Sequence, residues 1–80
     1  MVPTFSQPYD RGDLRIGIAS WDQGDFKSRS IKYAYPDTSG KVSRGCPELN
    51  FDVLVEMTIL ALKQKELTVE QVERLKYHLR

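Results

Sequence analysis

One cysteine, one histidine and no long apolar run limit what this chain of 80 residues can be. The single Cys46 excludes an internal disulfide and a cysteine-based zinc site, and it fits a reducing compartment. No apolar run approaches the roughly 18 residues that a membrane-spanning helix needs. The first residues have neither a basic segment nor an apolar one, so we expect no secretory signal. These absences predict one small domain that is cytoplasmic or associated with a nucleoid or nucleus, not secreted and not in a membrane.

The sequence also has little material for catalysis. His78 falls in the last turn of a predicted C-terminal helix, where a cation suits the helix dipole. Cys46 is interpreted more readily as an inert thiol than as a nucleophile. No glycine-rich phosphate loop is present, and the aspartates of the turns lack the spacing of a calcium loop. We therefore expect a protein that is not an enzyme and has no catalytic residues, cofactor, metal or small-molecule substrate.

The charge is near neutral in total, with twelve Lys and Arg against eleven Asp and Glu, but it is uneven along the chain. Residues 26–45 carry five basic side chains against Asp37 alone, whereas the segments before and after this one are acidic. A polyanion would bind in this central segment if it binds at all. The alternative interpretation is an ordinary solvated sheet face.

The hydrophobic pattern predicts an arm followed by strands. Residues 1–12 contain Pro3 and Pro8 and no periodic apolar pattern, which predicts a flexible N-terminal arm. Residues 13–80 then form a single domain. Its first segment, DLRIGIASW, alternates with period two, and FKSRSIKYAY does so as well, which is typical of strands. Turn residues separate these from a short third strand, KVSRG, and a fourth, CPEL, in which Pro47 requires an edge or a bulge.

The period becomes helical after Asn50, which is a good N-cap. The predicted helix over residues 51–66 is so apolar between Val53 and Leu62 that most of its circumference must be covered. A second helix begins at Thr68, which forms a capping box with Gln71. The predicted fold is therefore α+β, with a four-stranded antiparallel sheet followed by one long helix and a short C-terminal helix, in the order ββββαα.

Aromatic and basic residues are interleaved on the first two predicted strands. Unpaired bases stack on flat aromatic rings, and basic groups follow the phosphates, so this pattern indicates binding of single-stranded nucleic acid. The alternative is that the rings fill the core. Tyr33 shares a predicted face with Ile31, which favours the core, whereas Trp21 and Tyr35 lie beside turns and are better candidates for exposure.

The order of elements and several strings resemble the positive cofactor four family of transcriptional coactivators. The resemblance covers about Leu14 to Gln64 and rests on LRIGIASW, SIKYAYPDTSGKVSRG and PELNFDVLVEM. It implies four antiparallel strands and a helix through which two copies pair to bind single-stranded DNA. Trp21 and Tyr35 would then match the family's stacking aromatics, and the matching basic residues would be Lys32, Lys41 and Arg44. The sequence departs from the family at Gly45, Cys46 and Pro47, and in its second helix, Thr68 to Leu79.

Two functions follow as hypotheses. The first is a non-enzymatic single-stranded DNA- or RNA-binding homodimer that acts as a transcriptional coactivator or regulator. Its predicted binding residues are Arg15, Trp21, Lys27, Arg29, Lys32, Tyr35, Lys41 and Arg44. The second is a small homodimeric protein-interaction module that binds no nucleic acid. For both, the predicted dimer or partner surface comprises Leu54, Thr58, Leu62, Leu75 and Leu79.

Overall fold

The computed structural model describes residues 1–43 and 45–79 and shows three strands followed by two helices. The strands are β1 (Val2–Tyr9), β2 (Gly12–Ile18) and β3 (Arg29–Ala34), and the helices are α1 (Phe51–Lys63) and α2 (Val69–His78). The sheet has the order β1-β2-β3 and is antiparallel throughout. The general α+β class is confirmed, whereas the predicted four-stranded sheet is wrong in the described part of the chain.

The residues predicted as a flexible arm form strand β1 instead. This strand pairs with β2 from Val2 opposite Ile18 to Tyr9 opposite Gly12, with a bulge between Pro3 and Phe5. The prolines are tolerated because β1 is an edge strand, where a residue without an N–H can face away from the ladder. Pro3 and Pro8 were the reason for the wrong prediction of a flexible arm.

The predicted third and fourth strands are reduced to isolated bridges, Pro36 with Val42 and Leu49 with Ile31. The backbone N–H of Tyr35, which could pair with a neighbouring strand, instead donates to the Cys46 Sγ at 3.3 Å. The Cys46 side chain therefore takes the hydrogen bond that the backbone of a fourth strand would have accepted. Pro36 and Pro47 lack an N–H, which further limits a continuous ladder in this region.

The register of the strands gives the sheet two unlike faces. We call one the open face; its members are Val2, Phe5, Tyr9, Leu14, Ile16, Ile18, Arg29, Ile31 and Tyr33, all half-buried or exposed. We call the other the covered face; it presents Asp13, Arg15, Gly17, Ser30, Lys32 and Ala34. The buried residues of the sheet lie on the covered face, so the prediction that the face of Ile31 and Tyr33 forms the core is wrong.

Glu48 fastens the segment that leads to α1 onto the covered face. Its Oε1 accepts from the hydroxyl of Ser30 at 2.9 Å and from the backbone N–H of Ser20 at 3.1 Å, and the nitrogen of Met1 lies 3.6 Å from Oε2. Ser30 has no exposed surface. Burial raises the pKa of Glu48, but the hydrogen bonds from Ser20 and Ser30 outweigh this effect, and the net pKa lies below its ordinary value.

Both helices begin as the sequence predicts. The Oδ1 of Asn50 accepts from the backbone N–H of Val53 at 2.8 Å, and Thr68 and Gln71 exchange the two hydrogen bonds of a capping box.

Helix α1 ends three residues before the predicted limit, in a Schellman motif without glycine. The N–H of Glu66 donates to the carbonyl of Ala61 and that of Lys65 to Leu62, while Lys65 takes a left-handed φ of 58°. Glycine is the usual residue at this position, so the sequence carried no strong signal for the stop.

The core contains few large apolar side chains. Among the described residues, the buried apolar side chains are those of Ala19, Ala34 and Cys46, and neither helix contributes a buried residue. The interior of this chain is therefore small, and most of its large aliphatic side chains remain in contact with solvent.

We expect Glu48→Ala to lower the free energy of unfolding by about 1–3 kcal/mol, because it leaves the buried hydroxyl of Ser30 without its acceptor. Urea unfolding followed by circular dichroism measures the change. The matched control is Glu66→Ala, which removes an exposed carboxylate. Equal effects of the two changes would contradict the role assigned to Glu48.

Candidate nucleic-acid interface

Two of the predicted binding cations lie on the covered face. Arg15 of β2 and Lys32 of β3 stand directly opposite each other, and both are half-buried. The guanidinium of Arg15 is paired with the carboxylate of Asp13 at 3.1 Å. These two residues are therefore not placed beside the aromatic residues of the open face.

Arg29 borders the open face at the start of β3. Its guanidinium donates to the hydroxyl of Thr4 at 2.6 Å, and that hydroxyl donates in turn to the carbonyl of Ile16. The chain of hydrogen bonds spans all three strands. It leaves Arg29 exposed and holds its charge at one corner of the open face.

The loop between β2 and β3 carries Trp21 and Lys27, and Asp22 organises it. The carboxylate of Asp22 accepts from four backbone N–H groups, at 2.8–3.0 Å, those of Gly24, Phe26, Lys27 and Ser28. The hydrogen bond from Ser28 is the largest of the effects that lower the pKa of Asp22. Trp21 is 47% exposed at this end of the sheet, and Lys27 is exposed as well.

Three tyrosines gather at the opposite end of the sheet, and we call them the tyrosine cluster. The ring of Tyr9 meets that of Tyr33 edge-to-face at 5.7 Å, and the ring of Tyr33 lies 5.4 Å from that of Tyr35. Tyr9 is 56% exposed, whereas Tyr33 and Tyr35 are half-buried. The hydroxyl of Tyr35 donates to the carbonyl of Gly45 at 3.2 Å, which fixes the orientation of the third ring.

A cleft of about 660 Å³ opens beside the tyrosine cluster. Its walls are Arg11, Tyr33, Tyr35, Pro36, Asp37 and Thr38. The side chain of Asp37 closes the adjoining turn by accepting from the hydroxyl and N–H of Ser39 and from the N–H of Lys41, and these bonds, led by that of the Ser39 hydroxyl, lower the pKa of Asp37. Lys41 is exposed on this turn, and the predicted Arg44 lies outside the described residues.

The eight predicted binding residues therefore do not form one patch. Trp21, Lys27 and Arg29 lie at one end of the sheet, and Tyr35 and Lys41 lie at the other, about 20 Å away by the rise of a six-residue strand. The open face connects the two ends, and Phe5, which is 60% exposed, lies on it.

Sequence reasoning missed Phe5, Tyr9 and Arg11 because they belong to the segment interpreted as an arm. A signal for them is present. Phe5, Gln7 and Tyr9 alternate with period two, which places both rings on one face of a strand despite the neighbouring Pro8. The two-residue connection Asp10-Arg11 then sets Arg11 at the tip of a hairpin.

The predicted dimer surface is divided as well. Leu54, Thr58 and Leu75 line a groove between α1 and α2 of the same chain, and the hydroxyl of Thr58 donates to the carbonyl of Leu54. Leu75 is nevertheless exposed, and Leu62 and Leu79 are exposed outside this groove.

In residues 1–43 and 45–79, no three side chains of His, Cys, Asp or Glu meet as a metal site. Neither helix of the described chain is both long enough and apolar enough to cross a bilayer.

Comparisons with protein-family models, with curated proteins and with solved structures found no match to this chain. The resemblance to the positive cofactor four family therefore stays a prediction.

We expect Asp22→Asn to loosen the loop that carries Trp21, because an amide has a single acceptor oxygen and its NH2 group cannot accept, so two of the four N–H groups lose their partner. Amide hydrogen exchange should accelerate at Gly24, Phe26, Lys27 and Ser28. Since the pKa of Asp22 is lowered, the wild-type loop should stay ordered until the pH falls below the ordinary value of 3.8. The control Asp25→Asn, in the same loop, should leave these rates unchanged.

Proposed function

We propose that this protein binds single-stranded DNA or RNA without catalysing a reaction. The supporting observation is the tyrosine cluster, which lies at the end of an uncovered sheet face with Arg11 beside it. A transcriptional regulator or coactivator that acts in the cytoplasm or at a nucleoid or nucleus is the biological role that fits this proposal.

Stacking supplies most of the affinity in this proposal. The exposed ring of Tyr9 offers one aromatic surface and Phe5 a second, both on the open face. Stacking of one base on an aromatic ring contributes about 1–3 kcal/mol and tolerates any base. Two exposed rings on β1 therefore suit an unpaired nucleic-acid strand of mixed sequence.

Electrostatic attraction is modest. Arg11 and Arg29 lie at opposite ends of the open face, but Asp10 and Asp37 lie near Arg11 and offset part of its charge. With two phosphate contacts, the slope of log affinity against log salt is about −1.4 for a single strand. This slope is about one third of that expected if all six predicted cations faced the strand.

We expect Tyr9→Leu to weaken binding of a labelled mixed-sequence oligonucleotide by about 5- to 150-fold, which corresponds to the loss of one stacked base. Tyr9→Phe keeps the ring and should bind as the wild type does. Fluorescence anisotropy measures both. Loss of affinity in the Phe variant, or none in the Leu variant, would contradict a stacking role.

We expect Arg11→Glu to reduce the magnitude of the salt slope by about 0.7 and to weaken binding at low salt. Lys65→Glu makes the same charge change in the exposed connection between the helices and should alter neither quantity. If the wild-type protein shows no binding to single strands at low salt, the proposed function is wrong.

The second candidate function is a protein-interaction module without nucleic-acid binding. The observation that favours it is the exposure of large aliphatic side chains on both helices. Failure of oligonucleotide binding in a folded protein would select this function over the first.

A further inference from the structure

The chain exposes far more surface than a compact protein of its mass. Its accessible surface is 6781 Å², whereas the scaling for folded monomers gives about 4,900 Å² for 9.2 kDa. Its radius of gyration is 14.5 Å, against about 11.6 Å expected for 80 residues. The excess of about 1,900 Å² per chain falls within the range that an obligate homodimer buries on each partner.

The largest group of exposed apolar side chains lies on α1, which carries seven of them. The side of this helix that faces α2 is half-buried and carries Leu54, Thr58 and Ala61. Beside it runs a second apolar row, which we call the outer stripe, formed by Phe51, Val55, Ile59 and Leu62. The spacing of four, four and three residues sets them on one side of a helix. They are between 37% and 54% exposed.

We propose that a second copy of this chain covers the outer stripe, with the two α1 helices antiparallel about a twofold axis. This inference concerns assembly and does not depend on nucleic-acid binding. A copy of the chain is favoured as the occupant because the core is too small to sustain the fold alone, so the partner must be present whenever the chain folds. A twofold contact also requires a surface that complements itself.

The outer stripe meets this requirement. An antiparallel axis between Glu56 and Met57 sets Phe51 of one copy across from Leu62 of the other and Val55 across from Ile59. Large apolar side chains of the two copies therefore meet along the whole helix. The contact buries no polar side chain of the outer stripe, because the stripe contains none.

The charges at the border of the stripe favour the same arrangement. Asp52 and Lys63 lie on the same edge, and in antiparallel helices like edges meet. Asp52 of one copy and Lys63 of the other are then offset by only about 3 Å along the helix axis, given the rise of 1.5 Å per residue.

A second exposed row on α1, formed by Val53, Met57 and Leu60, is the competing surface. The same axis there would bring Glu56 next to its own copy, so two carboxylates would repel each other. This repulsion disfavours the second row. A lipid surface is also disfavoured, because the polar residues Asp52, Glu56 and Lys63 give this helix a net negative charge, whereas interfacial helices carry basic residues.

The first test is the size of the protein in solution. Light scattering after size-exclusion chromatography should give twice the chain mass of 9.2 kDa at micromolar concentration, and the unfolding midpoint should rise with concentration. A folded monomer overturns the proposal, as does a monomer that sediments with anionic phospholipid vesicles.

Cross-linking tests the orientation of the two helices. Phe51→Cys and Leu62→Cys are each made in the Cys46→Ser background, one of them with a mass tag, and then mixed, unfolded and refolded together. A short bismaleimide should join the two different chains and should give little product with either variant alone. Self-linked product from the single variants at the level of the mixture overturns the antiparallel arrangement.

Neighbouring substitutions test which row is used. Ile59→Asp should raise the dissociation constant by more than about 30-fold, as is typical for a central interface residue, whereas Leu60→Asp on the competing row should leave the dimer intact. If Leu60→Asp dissociates the dimer and Ile59→Asp does not, the second row is the interface and the proposal is wrong. Equal effects of the two substitutions also contradict it.

Discussion

The register between β2 and β3 determines most of this structure. It sets Gly17 opposite Ser30, so that small side chains share the covered face, and it sets Ile16 opposite Ile31 on the other face. Because a shift of one residue would exchange the two faces, this pairing decides which side Glu48 can reach and which remains open. The hydroxyl of Ser30 then acts as the anchor through which the segment leading to α1 is held against the sheet.

The consequence of this register is an interior made of small residues. Ala19, Ala34 and Cys46 bury little apolar area, and burial stabilises by only about 25 cal/mol per Å². The larger aliphatic side chains lie on the open face and on the helices, where a single copy cannot bring them together. Dimerisation through the outer stripe would therefore add to the core as well as join two chains.

Local chemistry made the helices predictable and left the sheet only partly so. Asn50 and Thr68 act within one turn of their own helices, so both caps are found in the structure where the sequence sets them. Strand β1 was missed because the edge position that tolerates Pro3 and Pro8 is a property of the whole sheet. The predicted fourth strand failed for a similar reason, since the thiol of Cys46 takes the N–H of Tyr35 across a distance that no local pattern encodes. The candidate site was mispredicted for a similar reason: Arg15 and Lys32 lie on the same strands as residues of the open face, yet the alternation of side chains sets both of them on the covered face, away from the tyrosine cluster.

If both proposals hold, a dimer can bind nucleic acid through each of its two copies, because the residues used for assembly and those used for binding do not overlap. The outer stripe lies on α1, whereas the open face and the tyrosine cluster lie on the strands, so a dimer presents two binding surfaces. A nucleic-acid strand long enough to reach both surfaces would, once bound to one, meet the other at a high effective concentration. Two weak surfaces would then give a tight complex. The modest charge of each surface is then sufficient, because avidity supplies the affinity that a single open face with two arginines lacks. Since the chain folds only when paired in this scheme, the bivalent form is also the only one that would encounter nucleic acid.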